Sequence, residues 1–271
     1  MSNIIVGFDF SSGSAHAVDL AIDIANRARI DLRLVYVKEK DQDEAPIREE
    51  IERRNAAVAP LLQGIKMTYV IREGKASREL VSQAEEDNAQ LIVVGTHGMS
   101  GFEKHYIGRN AYRTIAESPV PVLSLREDYS YAKELHRIIV PIDSSADTRQ
   151  KVTFAAKLAQ IYGSELHILG LYTSESATIR GIVDGYVNMV DTYLSKANIK
   201  HVCKRVSVPK NLTVTTLEYA DEVDADLIVI MTEQEPNLTS LFLGNYAQQM
   251  LTLSKRPVLS IRPKEINSVA K

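Results

Sequence analysis

The chain has 271 residues, enough for two domains of ordinary size, each able to bury a core of its own. A net charge of −3, with 25% charged and 45% hydrophobic residues, offers no basic face for nucleic acid, and the apolar runs stay far below the ~20 residues of a membrane helix. The single cysteine, Cys203, excludes an intrachain disulfide; without CxxC or the His/Cys spacing of a zinc motif it reads as a small strand residue, and no metal site is assigned.

The N-terminus, MSNIIVGFDF, has neither a basic n-region nor a long apolar h-region, so no signal peptide is expected and the expected location is cytoplasmic. A β-branched run at 4–8 predicts the first strand. In the helix after it, Ala15, Val18, Ala21, Ile22 and Ala25 recur at helical spacing. There follow a strand at 32–37, a charged helix near 44–62, a strand at 67–72 and a helix at 76–88. The strand LIVVG at 91–95, a helix at 109–117 and a strand at 121–125 complete the unit. Alternating apolar strands and helices predict a parallel sheet covered on both faces, and right-handed crossovers make it doubly wound α/β.

The unit then repeats. NIIVGFDFSSGSAHAVDLAIDIA (3–25) matches RIIVPIDSSADTRQKVTFAAKLA (137–159), LIVVG matches LIVIM (227–231), and SPVPVLSLR (118–126) matches SKRPVLSIR (254–262). Asp9 and Asp143 are 134 residues apart; Gly108 and Gly244, like Pro121 and Pro257, are 136 apart. So steady an offset means two copies of one domain, assigned to 1–130 and 131–271 and joined through the polar stretch EDYSYAKELH. Copy two predicts strands near 138–142, 165–171, 201–207, 226–231 and 257–261, with Gly163 as a helix stop. Residues 173–200 are poorly periodic until YVNMVDTYL.

Ligands of open α/β sheets bind beyond the carboxyl ends of the strands, where the winding reverses. Asp9 and Phe10 leave the first strand there, and Gly95 to Gly98 leave the fourth. Asp9 is either a turn residue bonding nearby amides or a carboxylate reading the base or sugar of a nucleotide. Gly98 and Gly108 bracket nine residues, and a helix follows; this is either a plain connecting loop or a backbone cradle for phosphate at a helix N-terminus. GxGxxG, GxxxxGK[ST] and GxSxG are all absent, and no Ser–His–acid set can be picked out by spacing. The residues point to recognition and assign no catalytic group.

Taken together, IIVGFDFSSGS, LIVVGTHG with nine residues to GRNAYRTI, and SPVPVLSL resemble a universal stress protein domain, in two tandem copies over nearly the whole chain. The resemblance implies a five-stranded parallel sheet in each copy, order 3-2-1-4-5, with ATP at the junction of strands one and four in those members that bind it. It implies that Asp9, with Phe10 beside it, meets adenine or ribose, and that Val37 offers backbone contacts to the base. Gly95, His97 and Gly98 would line ribose and phosphates, Gly108 and its successors would hold the triphosphate, and Gly74 would come close to the nucleotide. The departure is Arg109 followed by Asn110, where ATP-binding members usually carry Ser or Thr. A guanidinium there either grips phosphate bidentately, blocks the subsite or points to solvent. Copy two has Met231 for Gly95 and Gln234 for Gly98, flanked by Glu233 and Glu235, which predicts a copy that keeps the fold and loses the nucleotide.

The expected function is therefore a stress-response protein binding ATP, with or without Mg²⁺, or another adenine nucleotide, in the first copy alone. The alternative is a nucleotide-independent interaction or scaffold protein of the same fold. An enzyme of related adenine-nucleotide folds has no recognisable catalytic motif here, leaving at most a slow ATPase. The final strands are sheet edges with apolar faces, so the copies are expected to pair edge to edge as an intrachain pseudo-dimer. Homodimerisation of the chain and a further protein partner stay open; nucleic acid and membrane are not expected partners.

Overall fold

In the computed structural model, which describes residues 3–96, 107–129, 134–232 and 243–263, the apolar runs of each half become five strands. The first half holds β1 (Ile4–Gly7), β2 (Leu32–Lys38), β3 (Met67–Glu73), β4 (Leu91–Gly95) and β5 (Val122–Leu125). The second holds β6 (Arg137–Ile142), β7 (Glu165–Tyr172), β8 (His201–Ser207), β9 (Leu227–Met231) and β10 (Val258–Ile261). Between them run α1 (Ser12–Ala28), α2 (Glu44–Val58), α3 (Ala76–Glu86), α4 (Arg109–Glu117), α5 (Val152–Tyr162), α6 (Ala177–Lys196), α7 (Leu212–Glu222) and α8 (Asn245–Leu253). Each half is parallel in the predicted order, β3-β2-β1-β4-β5 and β8-β7-β6-β9-β10.

The halves join through one antiparallel pair, β5 with β10, making a single ten-stranded sheet. Leu123 lies opposite Leu259, Val122 opposite Ser260 and Ser124 opposite Val258. Each residue thus faces the repeat equivalent of its mirror position, and a pseudo-twofold axis passes through the leucine pair. The ends of the strands obey the same symmetry. Arg126 Nη1 donates to the Thr252 carbonyl near the end of α8 (3.2 Å), and Arg262 Nη1 donates to the Glu117 carbonyl at the end of α4 (3.4 Å). Cations at helix C-termini satisfy carbonyls that have no partner within the helix. The predicted intrachain pseudo-dimer is therefore built from paired edges, each clamped by an arginine.

Two apolar layers cover the sheet and run through both halves. One packs α1, α2, α5 and α6 over residues such as Val6, Leu34, Val140 and Ile168; the other packs α3, α4, α7 and α8 over Ile5, Val35, Ile139 and Leu169. The helix expected over 44–62 stops at Val58, and Pro60, which has no N–H to donate, sits in a short 3-10 turn (Ala59–Leu61). Gly163 ends α5 with φ +70°, as its position predicts. The poorly periodic 173–200 contains the long helix α6, whose buried stripe is Val183, Val187, Val190 and Leu194. Glycines 181 and 185 and an exposed Met189 and Tyr193 obscured that period. Among the described residues, no helix is long and apolar enough to cross a membrane.

One buried group gives the fold a pH dependence. His167 on β7 is buried, with Nδ1 2.9 Å from the Tyr219 hydroxyl and Nε2 3.2 Å from the Glu165 carboxylate. Burial holds its pKa below the ordinary histidine value, against the raising effect of Glu165 and with a smaller lowering effect from Arg137. The unfolded ring therefore takes up its proton first as the pH falls through ~6.5, and stability falls with it. The thermal midpoint is expected to drop between pH 7 and pH 5.5, and His167→Gln to lose part of that drop; an unchanged profile in the variant would remove His167 from the account.

Candidate functional site

β1 and β4 lie side by side, with Ile4, Ile5 and Val6 in register with Leu91, Ile92 and Val93, and the chain reverses its winding there. At their carboxyl ends opens a crevice of about 170 Å³, on the face covered by α3 and α4. Asp9 and Gly95 close its sheet side, Val35 and Val37 of β2 form one wall, Ala76 and Leu80 of α3 another, and Asn110, Ala111 and Thr114 of α4 the third. Asp9 is the one charged side chain among these described lining residues.

Asp9 is already engaged in a turn. Its Oδ1 accepts from the Ser11 amide (3.1 Å) and the Ser11 hydroxyl (2.5 Å), while the Ser11 Oγ accepts from the Ser14 amide and so caps α1. Among the described residues Oδ2 has no hydrogen-bond partner, so the carboxylate keeps acceptor capacity toward a ligand amino or hydroxyl group. The turn role of this aspartate is thus seen directly, and one carboxylate oxygen is left over beside the crevice.

The glycines have local reasons. A Cβ on Gly95 would lie 2.7 Å from the Gly13 carbonyl carbon and 2.9 Å from its oxygen, because the first turn of α1 rests on this residue. A Cβ on Gly108 would lie 2.8 Å from the Thr96 carbonyl oxygen, to which the Gly108 amide donates at 2.7 Å. Gly108 is the N-cap of α4, and no side chain caps that helix.

Four of the ten candidate residues meet at the crevice: Asp9, Val37, Gly95 and Asn110. Gly108 stands just behind Asn110, and Arg109 is exposed and does not line the crevice. Phe10, with φ +65°, turns its ring to the opposite layer, where it meets Tyr36 at 4.9 Å and Phe8 at 5.1 Å between centroids. Gly74, with φ +143°, turns the chain beside Glu79 and is not in the lining. His97 and Gly98 lie outside the described residues. Ala76, Leu80 and Thr114, which the motif spacing did not single out, complete the walls; their signal was only the inward face of each helix.

The second copy builds the same corner differently. The Asp143 Oδ1 accepts from the Ser145 amide (2.8 Å) and hydroxyl (2.5 Å), repeating the Asp9 turn. Met231, however, replaces Gly95 and is buried, and Asp147 replaces Gly13. The counterpart of the first turns of α1 becomes a 3-10 turn, Ala146–Arg149, and α5 begins at Val152, the equivalent of Val18. A side chain at position 231 and a helix resting directly on the strand exclude each other, and here the helix has given way. Glu233, Gln234 and Glu235 lie outside the described residues.

Comparison with known proteins agrees with this twofold layout. The family model for the universal stress protein family matches residues 1–126 and again 134–262. A universal stress protein of Bacillus subtilis, YxiE, is 27% identical over 148 residues, which cover 46% of this chain and 99% of that protein. Universal stress protein Rv2624c of Mycobacterium tuberculosis is 26% identical over 194 residues, 68% of this chain and 70% of that one. The crystal structure of a universal stress protein from Archaeoglobus fulgidus superposes with a TM-score of 0.73 at 18% identity, over 97% of both chains, a likeness of fold.

Proposed function

Because the chain belongs to the universal stress protein family, over both of its halves, we propose that it is a stress-response protein whose first half binds ATP or another adenine nucleotide in the β1–β4 crevice, while its second half does not. The observation that carries this reading is the crevice itself, which opens at the β1–β4 switch point with Asp9 as the one charged side chain among its described lining residues and the uncapped N-terminus of α4 beside it. The second half differs at this corner by a buried Met231, whose side chain enters the opposite layer, and by a helix that starts later. A crevice of about 170 Å³ is smaller than the ~300 Å³ of ordinary ligand pockets, so it takes the base and leaves the phosphates outside, toward α4. Val35, Val37, Ala76 and Leu80 offer an apolar slot for a flat ring, and Asp9 Oδ2 accepts from its amino group or from a ribose hydroxyl. The uncapped N-terminus of α4 presents amides to phosphate. No second carboxylate stands among the described lining residues, so Mg²⁺ would arrive on the phosphates.

A second reading, a nucleotide-independent scaffold of the same fold, is favoured by one fact. Gly95 and Gly108 are required by backbone packing and Asp9 by its turn, so all three would be kept without a ligand. Calorimetry of the full chain with Mg-ATP, and analysis of any nucleotide released on denaturation, separate the two. Wild type is expected to bind. Ala76→Phe, which fills the slot, is expected to abolish binding, and Asp9→Asn, which keeps the turn acceptor and removes the charge, to weaken it about tenfold. Arg109→Ser is expected to matter less than Asp9→Asn, since Arg109 is off the crevice wall. A folded wild type that binds no adenine nucleotide would leave the scaffold reading standing.

A further inference from the structure

A second cluster of chemistry lies away from the crevice, on the outer part of the second half. His201 and Cys203 are two residues apart on β8 and share one side of the strand, where they meet Asp191 of α6. His201 Nε2 lies 3.1 Å from Asp191 Oδ1, and Cys203 Sγ lies 3.6 Å from the same oxygen. All three potential ligand atoms are within 4.8 Å of one another. We propose that Asp191, His201 and Cys203 form a site for a divalent transition-metal cation, zinc foremost, which pins α6 to the edge strand β8.

Three observations carry this. The first is geometry. With zinc–nitrogen and zinc–oxygen distances of about 2.0 Å and zinc–sulfur of about 2.3 Å, a tetrahedral ion has a nitrogen–oxygen edge of about 3.3 Å and a sulfur–oxygen edge of about 3.5 Å. The observed 3.1 Å and 3.6 Å are within a few tenths of those edges.

The second is orientation of the ring. His201 Nδ1 lies 2.8 Å from the Ile199 carbonyl oxygen, which can only accept, so Nδ1 carries a proton. Nε2 is the nitrogen left to coordinate, and a backbone carbonyl behind the ring is the usual outer partner of a metal-bound histidine. Nε2 faces Asp191 Oδ1, to which the Cys203 thiol also points as a donor, so the contact is closed either by a proton on Nε2, as an ion pair, or by a cation bound to all three groups.

The third is the internal control within the chain. β3 is the equivalent edge strand of the first half, and it carries Met67 and Tyr69 where β8 carries His201 and Cys203. There the Tyr69 hydroxyl bonds Arg48 and Glu52 of α2. The fold closes this edge without a His/Cys/Asp set, so the set in the second half is not a requirement of the architecture. Its donors, one imidazole, one thiolate and one carboxylate, suit zinc better than magnesium or calcium. On binding, the Cys203 thiol releases its proton to solvent, and thiolate and carboxylate together balance the charge of the ion. Asp191 is exposed, so the fourth position opens to water.

Cobalt(II) added to the chelator-stripped full chain tests the site directly. One ion per chain is expected, with a thiolate-to-cobalt charge-transfer band in the near ultraviolet and intense tetrahedral bands in the visible, both bleached by zinc. Zinc should raise the thermal midpoint of wild type. Cys203→Ser should lose the charge-transfer band, and His201→Ala and Asp191→Asn should each weaken affinity at least about tenfold. A wild-type complex without the charge-transfer band, or zinc binding unchanged in Cys203→Ser, would overturn the site; binding by surface histidines alone gives that outcome. If a variant does not fold, the wild-type cobalt spectrum still decides.

Discussion

Adding one methyl group at Gly95 is expected to destabilise the full chain by about 3 kcal/mol, lowering the thermal midpoint by roughly 10 °C. Gly→Ala at an ordinary backbone position does the opposite, stabilising by about 0.4–1 kcal/mol through the unfolded chain. Gly95 lies in β4, and no left-handed φ is recorded for it, so the backbone itself would accept alanine. What it cannot accept is a Cβ 2.7 Å from a backbone carbon of Gly13. A flexible side chain could swing aside, but the first turn of α1 must move as a unit, and it holds the Ser11 cap and the Asp9 turn in place. Scanning calorimetry of Gly95→Ala gives the sign at once. A midpoint equal to or above wild type would show that α1 yields cheaply, and would undo the explanation offered for the rebuilt helix start in the second half. Nucleotide affinity, where present, is expected to fall with stability, because Asp9 shifts with the same turn.

The repeat, the strands and their order were legible because apolar β-branched runs alternate with helical faces, and because the second copy supplies an independent reading of the first. Pairing of the last strands followed from apolar edges that had to be covered. The crevice was legible in part. Asp9, Val37, Gly95 and Asn110 do line it, whereas Phe10, next to Asp9 in the chain, packs into the opposite layer. A left-handed residue after a strand end reverses which face its side chain takes, and no spacing reveals that φ. Glycine spacing has a deeper ambiguity: it reports that something approaches the backbone closely, and says nothing of whether that is a phosphate or another turn of chain. For Gly95 it is Gly13, for Gly108 it is Thr96. Cys203 escaped for a different reason. His201 stands two residues away on the same strand, but Asp191 comes from α6, which meets that strand only in the fold, and local His/Cys spacing has no access to the third group.

The pseudo-twofold join makes a prediction of similar size. Residues 1–130 expressed alone should form a symmetric dimer through β5. In the full chain Leu123 pairs with Leu259, its repeat equivalent, and the flanking pairs interchange Val and Ser positions. A strand whose partner is its own copy in the same register can accept itself without a register slip. Left bare, β5 would expose a row of unpaired backbone groups between side chains that are otherwise buried, with Val122 at 1%, Leu123 at 0% and Leu125 at 1% exposure. Self-pairing also restores the clamp: Arg126 of each copy reaches the carbonyls ending the other's α4, as Arg262 reaches Glu117 in the full chain. A hydrogen bond from a charged donor contributes about 1.5–3 kcal/mol, and twofold symmetry counts it twice. Arg126→Ala should therefore weaken the half-chain dimer at least tenfold, and Leu123→Asp, which sets two carboxylates on the axis, should prevent it. Light scattering with circular dichroism reads both. A folded monomer of 1–130 at high concentration would mean that β10 supplies something to β5 that β5 cannot supply to itself.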